Sequence, residues 1–293
     1  MSKKDFFVKR YKHLGWEFAN IRYKQAIRIN NSNVKLEKLL IRLKKSGIQL
    51  TQIPFLKKAY WIDKSKVSIG STSEYLLGFY SIQEAASQIP VTTFSKLKDK
   101  KVLDACAAPG GKTVQLADLM GNTGLIVALD VSKRRLIALT NHLERCHVKN
   151  SIVFVLDAKQ NSFLNMRFDR ILIDAPCSGN FTMDKNWFNR RTIKDVKHNA
   201  KLQRELLTKC VNCLDDHGEI VYSTCSLEPE ENELNMDWAI RNLNVKIEKI
   251  ECFGEKGVNN IFGKNLNNSI TRCKRIWPGK TQGFFLCKLR KKW

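Results

Sequence analysis

The run VLDACAAPGGKT, residues 102–113, holds a strand, a tight turn and the start of a helix in quick succession. Lys101 to Cys106 is short, apolar and closes on small residues, as a buried parallel strand does. Ala107-Ala108-Pro109-Gly110-Gly111 makes the turn. From Lys112 to Met120 the apolar residues Val114, Leu116, Ala117, Leu119 and Met120 recur at helical spacing. Strand, glycine turn and helix form a ligand crevice at the carboxyl edge of an open α/β sheet. Glycines let the backbone approach a bulky ligand, and the new helix points free N–H groups at it. The pattern is neither GxGxxG nor the Walker GxxxxGK[ST], so it specifies a ligand turn and no particular ligand.

The same alternation continues outward. Gly124 to Asp130 (GLIVALD), Ser151 to Asp157 (SIVFVLD) and Phe168 to Asp174 (FDRILID) read as buried strands, each ending in an acid. Ser132 caps a helix to about Cys146, and a long helix runs from about Thr192 to Leu214. His217 to Thr224 is a fifth strand, ending at Cys225. Ser226 to Asn242 reads as a helix whose Glu228, Pro229, Glu230 and Glu231 suit a helix N-terminus. Late strands follow at Asn244 to Ile250 and Gly283 to Leu289. The pattern predicts an α/β fold with a doubly wound, mostly parallel sheet.

Residues 1–78 differ in character. Up to residue 24 the chain is basic with interleaved aromatics, among them Phe6, Phe7, Tyr11, Trp16 and Tyr23. Such an arm can grip nucleic acid or dock on the body of the protein. Gln25 to Asn30 alternates as a strand, and Val34 to Lys45 puts Leu36, Leu39, Leu40 and Leu43 on one helix face, stopped by Gly47. Ile48 to Ile62 adds strand-like pieces. This reads as a small basic α/β domain over 1–78 that contacts RNA. Residues 68–95 are a connector and lead-in helix, and 79–293 are the catalytic domain.

A net charge of +23 over 293 residues opposes compaction and favours a polyanion partner. The chain has no run of about 18 apolar residues, so no membrane span is expected, and MSKKDFFVKR lacks a secretory core. Nine scattered cysteines, an odd number, suit free thiols in a reducing cytoplasm.

The chemistry gathers at strand ends: Cys106, Asp130, Asp157 and Asp174. Asp130 lies about 20 residues beyond the glycine turn, where an acid can accept from ribose hydroxyls. That argues for a nucleoside-containing ligand. Cys177 in DAPCSG and Cys225 in STCS follow adjacent strands, which would put both thiols over one pocket, each a possible nucleophile. Spacing does not rank them. Cys210 and Cys213 form a CxxC inside a helix, without the second pair that zinc needs, so no metal site is expected.

Taken together, DACAAPGGKT, Asp130, Asp157, DAPCSG, and YSTCS followed by EPEENE resemble the RNA cytosine-5 methyltransferases of the NOL1/NOP2/Sun group over about residues 25–290. Within that group the chain resembles the short archaeal tRNA methyltransferases, and no appended PUA-type RNA-binding module is expected in it. The resemblance implies a Rossmann-like methyltransferase sheet and S-adenosylmethionine as cofactor. It further implies that Cys106, Ala107, Ala108, Pro109, Gly110, Gly111 and Lys112 cradle the cofactor, with Asp130 on its ribose, Arg135 nearby and Asp157 at the adenine amino group. Asp174 would face both the methyl donor and the target base. Cys225 would be the nucleophile and Cys177 the thiol that helps release product. DNA cytosine methyltransferases place their nucleophile in a Pro-Cys motif like Pro176-Cys177, so here the family decides. The final strand departs from the pattern: where a Pro-His pair is common, this chain reads Trp277-Pro278-Gly279-Lys280-Thr281-Gln282-Gly283. The expected protein is a cytoplasmic, monomeric enzyme making 5-methylcytosine in RNA, tRNA first and rRNA as the alternative substrate. The alternative class is a non-catalytic RNA-binding or ribosome-assembly factor.

Overall fold

A computed structural model of the chain describes residues 2–30, 34–159 and 166–292. Helix α1 (Lys3–His13) opens with a capping box between Ser2 and Asp5. Then come β1 (Ala26–Ile29), α2 (Leu36–Lys45), β2 (Ile48–Gln52), β3 (Ala59–Ser65), the short α3 (Ser73–Leu76), β4 (Tyr80–Ile82) and α4 (Ile89–Thr92). The large layer uses β5 (Lys101–Asp104), α5 (Gly111–Met120), β6 (Leu125–Asp130), α6 (Lys133–Arg145), β7 (Ser151–Val155) and β8 (Phe168–Asp174). It continues with α7 (Trp187–Arg190), α8 (Ile193–Asn212), β9 (Leu214–Thr224), α9 (Glu233–Asn242) and β10 (Val245–Glu248). Short strands β11 (Glu255–Lys256), β12 (Asn260–Ile261), β13 (Lys264–Asn265) and β14 (Lys274–Ile276) precede β15 (Phe284–Lys291).

The main sheet runs β11-β14-β15-β9-β8-β5-β6-β7, with β10 also on β15. The five strands β7, β6, β5, β8 and β9 are parallel, and β15 adds antiparallel to β9. This is the doubly wound, mostly parallel, Rossmann-like sheet that the alternating sequence pattern predicts. Its strands are continuous apolar runs because helices cover both faces. The principal core joins Leu103, Val127, Ile171, Ile173, Ile220 and Phe285 of the sheet to Leu206, Leu207 and Met236 of the helices. Among the described residues no helix is long and apolar enough to cross a membrane.

Three boundaries depart from the sequence reading. The small sheet, order β2-β3-β1-β4, continues past Gly78: Tyr80, Ser81 and Ile82 pair with Ile29, Arg28 and Ile27. The stretch read as a connector with a lead-in helix therefore contributes a strand between short helical turns. Helix α1 does not pack with that sheet. Phe7 and Tyr11 are buried against Phe181, Trp187, Val196 and Leu227, and Arg10 bonds Glu228 at 2.9 Å and Glu230 at 2.6 Å. Of the two uses weighed for the arm, its helix thus takes the docking one. Finally, Glu228 to Glu231 are not the first turn of a helix. α9 starts only at Glu233, because Glu228 and Glu231 are buried and used as anchors.

Candidate active site

Parallel pairing lines up the carboxyl ends of β6, β5, β8 and β9. Asp174, the last residue of β8, stands opposite Ser223, two residues before Cys225. Beyond these ends lies a cavity of about 420 Å³, lined by Cys106, Ala108, Asp130, Arg135, Asp157, Asp174, Cys177 and Cys225, with Leu202 and Leu206 of α8 as an apolar wall. Of the residues singled out from sequence, these eight come together. Ala107, Pro109, Gly110, Gly111 and Lys112 stand behind the lining.

Those five shape the turn. Gly110 has φ +102°, and a Cβ there would meet Leu139 Cδ1 at 2.8 Å. Glycine at 110 thus lets the turn pack on α6. Ala107 is buried among Leu136, Leu139 and Val114. The Lys112 ammonium donates to Asp174 Oδ2 at 2.7 Å, while Ser223 Oγ donates to Asp174 Oδ1 at 2.8 Å. Both oxygens of Asp174 are thereby oriented, and its side chain keeps 31% exposure toward the cavity.

Asp130 is nearly buried. It accepts from Ala108 N at 3.3 Å and Ser132 N at 3.0 Å, and pairs with Arg135 Nη1 at 3.2 Å. Arg135 also donates to the Ala108 carbonyl. Asp157 lies two residues past β7, accepts from Lys159 N at 2.9 Å and keeps one face to the cavity.

The two thiols sit 3.3 Å apart, sulfur to sulfur. The hydrogen bond to Cys225 and then burial push the Cys177 thiol well above its usual value, so Cys177 holds its proton and can donate it to the Cys225 sulfur. Behind the pair, Glu231 accepts from Ser178 N at 2.9 Å, Ser178 Oγ at 2.5 Å, Gln203 Nε2 at 3.3 Å and Ser226 Oγ. Asn180 Nδ2 donates to the Cys225 carbonyl at 2.7 Å. One carboxylate and one amide thus hold both cysteine loops. The other cysteines of the CxxC, Cys210 and Cys213, are buried in the core.

Sequence reasoning missed this support, and it missed Glu84. Burial pushes the Glu84 carboxyl up to about 7, although Gln282 N and Ser87 N donate to it at 3.0 and 3.2 Å. Glu84 therefore braces the Thr281-Gln282-Gly283 stretch ahead of the final strand. Nothing local marks it, since its partner is almost two hundred residues away in the chain.

Asp104, beneath the turn, has an unpartnered Oδ1, while Thr113 Oγ1 donates to its Oδ2 at 2.8 Å. Burial raises its carboxyl to about 7. The folded state keeps a proton that the unfolded chain releases near pH 4. The associated stability is complete below about pH 4 and is lost as pH rises through about 7. Asp104→Asn, which mimics the protonated form, should gain on the wild type by up to about 4 kcal/mol as pH rises across that window. Urea unfolding at stepped pH reads the difference, and parallel stability profiles would refute the assignment.

Comparisons with known proteins come from sequence and from structure. The family model described as 16S rRNA methyltransferase RsmB/F matches residues 91–290. The mouse 28S rRNA (cytosine-C(5))-methyltransferase is 34% identical over 275 residues, which is 90% of this chain but 35% of that protein. Ribosomal RNA small subunit methyltransferase F of Aeromonas salmonicida is 32% identical, over 92% of this chain and 58% of its own length. The chain thus spans about a third to somewhat over half of these relatives. A crystal structure of a methyltransferase homologue from Pyrococcus horikoshii superposes with TM-score 0.85 at 35% identity, covering 98% of this chain and 99% of that one. With the motifs on one sheet edge and the family model spanning two thirds of the sequence, this chain belongs to the RsmB/F family, the Sun-type methyltransferases.

Proposed function

We propose that the chain methylates carbon 5 of cytosine in RNA through a covalent Cys225–cytosine intermediate. The observation that carries this reading is the pair of thiols, 3.3 Å apart, opening on the cavity that Asp130 and Asp157 line. A pure RNA binder needs neither the thiol pair nor the ring of acids.

S-adenosylmethionine, the methyl donor of this family, supplies an electrophilic methyl group when bound. The residues fit it. Small side chains at Cys106 and Ala108 admit a bulky ligand, Asp130 can accept from ribose hydroxyls, and Asp157 can accept from an adenine amino group. Asp174, whose side chain keeps an open face to the cavity, is an anion that could face the positive sulfonium.

Carbon 5 of cytosine is a poor nucleophile. The Cys225 thiolate adds to carbon 6, and the electrons of the 5,6 double bond activate carbon 5 for methylation. Asp174, already fixed by Lys112 and Ser223, can accept from the N4 amino group of the base and so hold its edge in place as charge shifts. Release requires loss of the carbon 5 proton. The electron pair then reforms the double bond and expels the Cys225 sulfur. Cys177 is suited to help at this stage. Its sulfur lies 3.3 Å from the Cys225 sulfur, so its S–H can donate to that sulfur as it leaves while water takes the carbon 5 proton. The target base must leave its stack to reach these groups, at an unstacking cost that pocket contacts offset.

The excess of lysine and arginine suits the phosphate backbone of RNA. We place the enzyme in the cytoplasm as a monomer of two domains, with the small basic sheet contacting RNA. tRNA is the first substrate to test, on the resemblance to the short archaeal enzymes. rRNA is the second, since the curated relatives carry rRNA in their names. Incubation with total RNA and S-adenosylmethionine should yield a bisulfite-resistant cytosine, and the map reads the RNA class directly. Complete conversion of every cytosine in tRNA and rRNA would overturn the proposal.

A further inference from the structure

The N-terminal arm and the segment after Cys177 enclose a second cavity of about 460 Å³. Its walls carry Lys4, Arg22 and Lys185 together with the rings of Phe18, Phe181 and Phe188. Phe181 stacks on Phe188 at 5.3 Å, Phe18 lies 5.0 Å from Phe181, and the Lys4 ammonium stands 5.0 Å over the Phe18 ring. Among the described residues no carboxylate lines this cavity. Three cations without an acid around aromatic faces match one chemistry: a base to stack and a phosphate to neutralise.

The cavity is tied to the thiols. Asn180, next to Phe181, bonds the Cys225 carbonyl. Trp187 Nε1 donates to the Ser178 carbonyl at 2.7 Å. Tyr23, which follows Arg22, comes close enough to the catalytic centre that burial, Glu84 and Cys225 together raise its phenol. The wall of the cavity and the two cysteine loops are thus hydrogen-bonded to one another.

We propose that this cavity seats a nucleotide flanking the target cytosine in single-stranded RNA, its base stacked on the phenylalanines and its phosphate held by Arg22 and Lys185. The proposal rests on the RNA-methylating reading above. The test uses a fluorescein-labelled single-stranded RNA of about 10 nucleotides with one cytosine, titrated by anisotropy over a range of salt. Phe18→Ala should bind about tenfold more weakly with an unchanged salt slope, because stacking releases no counterions. Arg22→Ala with Lys185→Ala should lower the slope of log K against log salt by about 0.7, the value for one neutralised phosphate on a single strand. S-adenosylmethionine calorimetry checks that each variant is folded. If Phe18→Ala fails that check, the double variant decides, since both of its side chains are exposed. Wild-type affinity and slope in the variants would overturn the subsite and leave the methylation standing. No RNA binding by the wild type would overturn both.

Discussion

Cys225→Ala should abolish methyl transfer, by at least about 10⁴-fold, while Cys177→Ala should trap a protein–RNA adduct that survives denaturation. The asymmetry follows from geometry rather than from reactivity alone. The two sulfurs are 3.3 Å apart, so either could reach a base in the same cavity. Their surroundings separate them. Cys177 is held as a protonated thiol, first by its hydrogen bond to Cys225 and then by burial. Cys225 follows β9 directly, and its carbonyl is fixed by Asn180, which aims the residue at the shared cavity. Without Cys225 no bond to carbon 6 forms, and carbon 5 stays unreactive. Without Cys177 that bond forms, methylation proceeds, and release stalls. Transfer of a tritiated methyl group and a mobility shift in denaturing gels read the two steps separately. Adduct in Cys225→Ala, with none in Cys177→Ala, would exchange the roles. Both substitutions remove only a sulfur from a half-buried position, so the fold should survive them.

The parallel strands were legible because burial on both faces makes each one a short apolar run, and because each stops near a chemically distinctive residue. Asp130, Asp157, Asp174, Cys177 and Cys225 therefore reach one cavity as their strand-end positions imply. What could not be read is whatever depends on distant pairing. The EPEE run carries acids and an early proline, the local signature of a helix start. Its acids are instead satisfied by Arg10, some 220 residues earlier, and by serines beside the thiols. Tertiary satisfaction overrode local preference, as it does wherever a buried carboxylate must find donors. The arm shows the same limit. Periodicity marks Phe7 and Tyr11 as apolar, but only the fold shows that Phe181 and Trp187 cover them. The turn glycines are a subtler case: Gly110 is required by contact with Leu139 as much as by any ligand.

Glu231→Ala should cost about 3 kcal/mol of stability and about 10²-fold in turnover, although the residue touches neither base nor methyl donor. Its carboxylate is fully buried and gathers four donors: the backbone N–H and hydroxyl of Ser178, the hydroxyl of Ser226 and the amide of Gln203. Ser178 directly follows Cys177, and Ser226 directly follows Cys225. Alanine would strand those donors away from water, at about 1–3 kcal/mol for each one that finds no partner. Some will re-pair, since Ser178 and Ser226 are 3.1 Å apart, and that keeps the total near the lower bound. The kinetic effect has another origin. With the clamp gone, the two cysteine loops lose their common anchor, and a thiol displaced by about 1 Å forfeits near-attack geometry. Glu231→Gln separates the two consequences. It keeps one carbonyl acceptor and the side-chain volume, so it should recover much of the stability but only part of the rate. Urea unfolding gives the first quantity. The rate of adduct formation, measured in a Cys177→Ala background, gives the second without interference from product release. An alanine variant that unfolds at the wild-type urea midpoint would show that water replaces the carboxylate. One that is less stable yet forms adduct at the wild-type rate would show that Glu231 supports the fold without positioning the thiols.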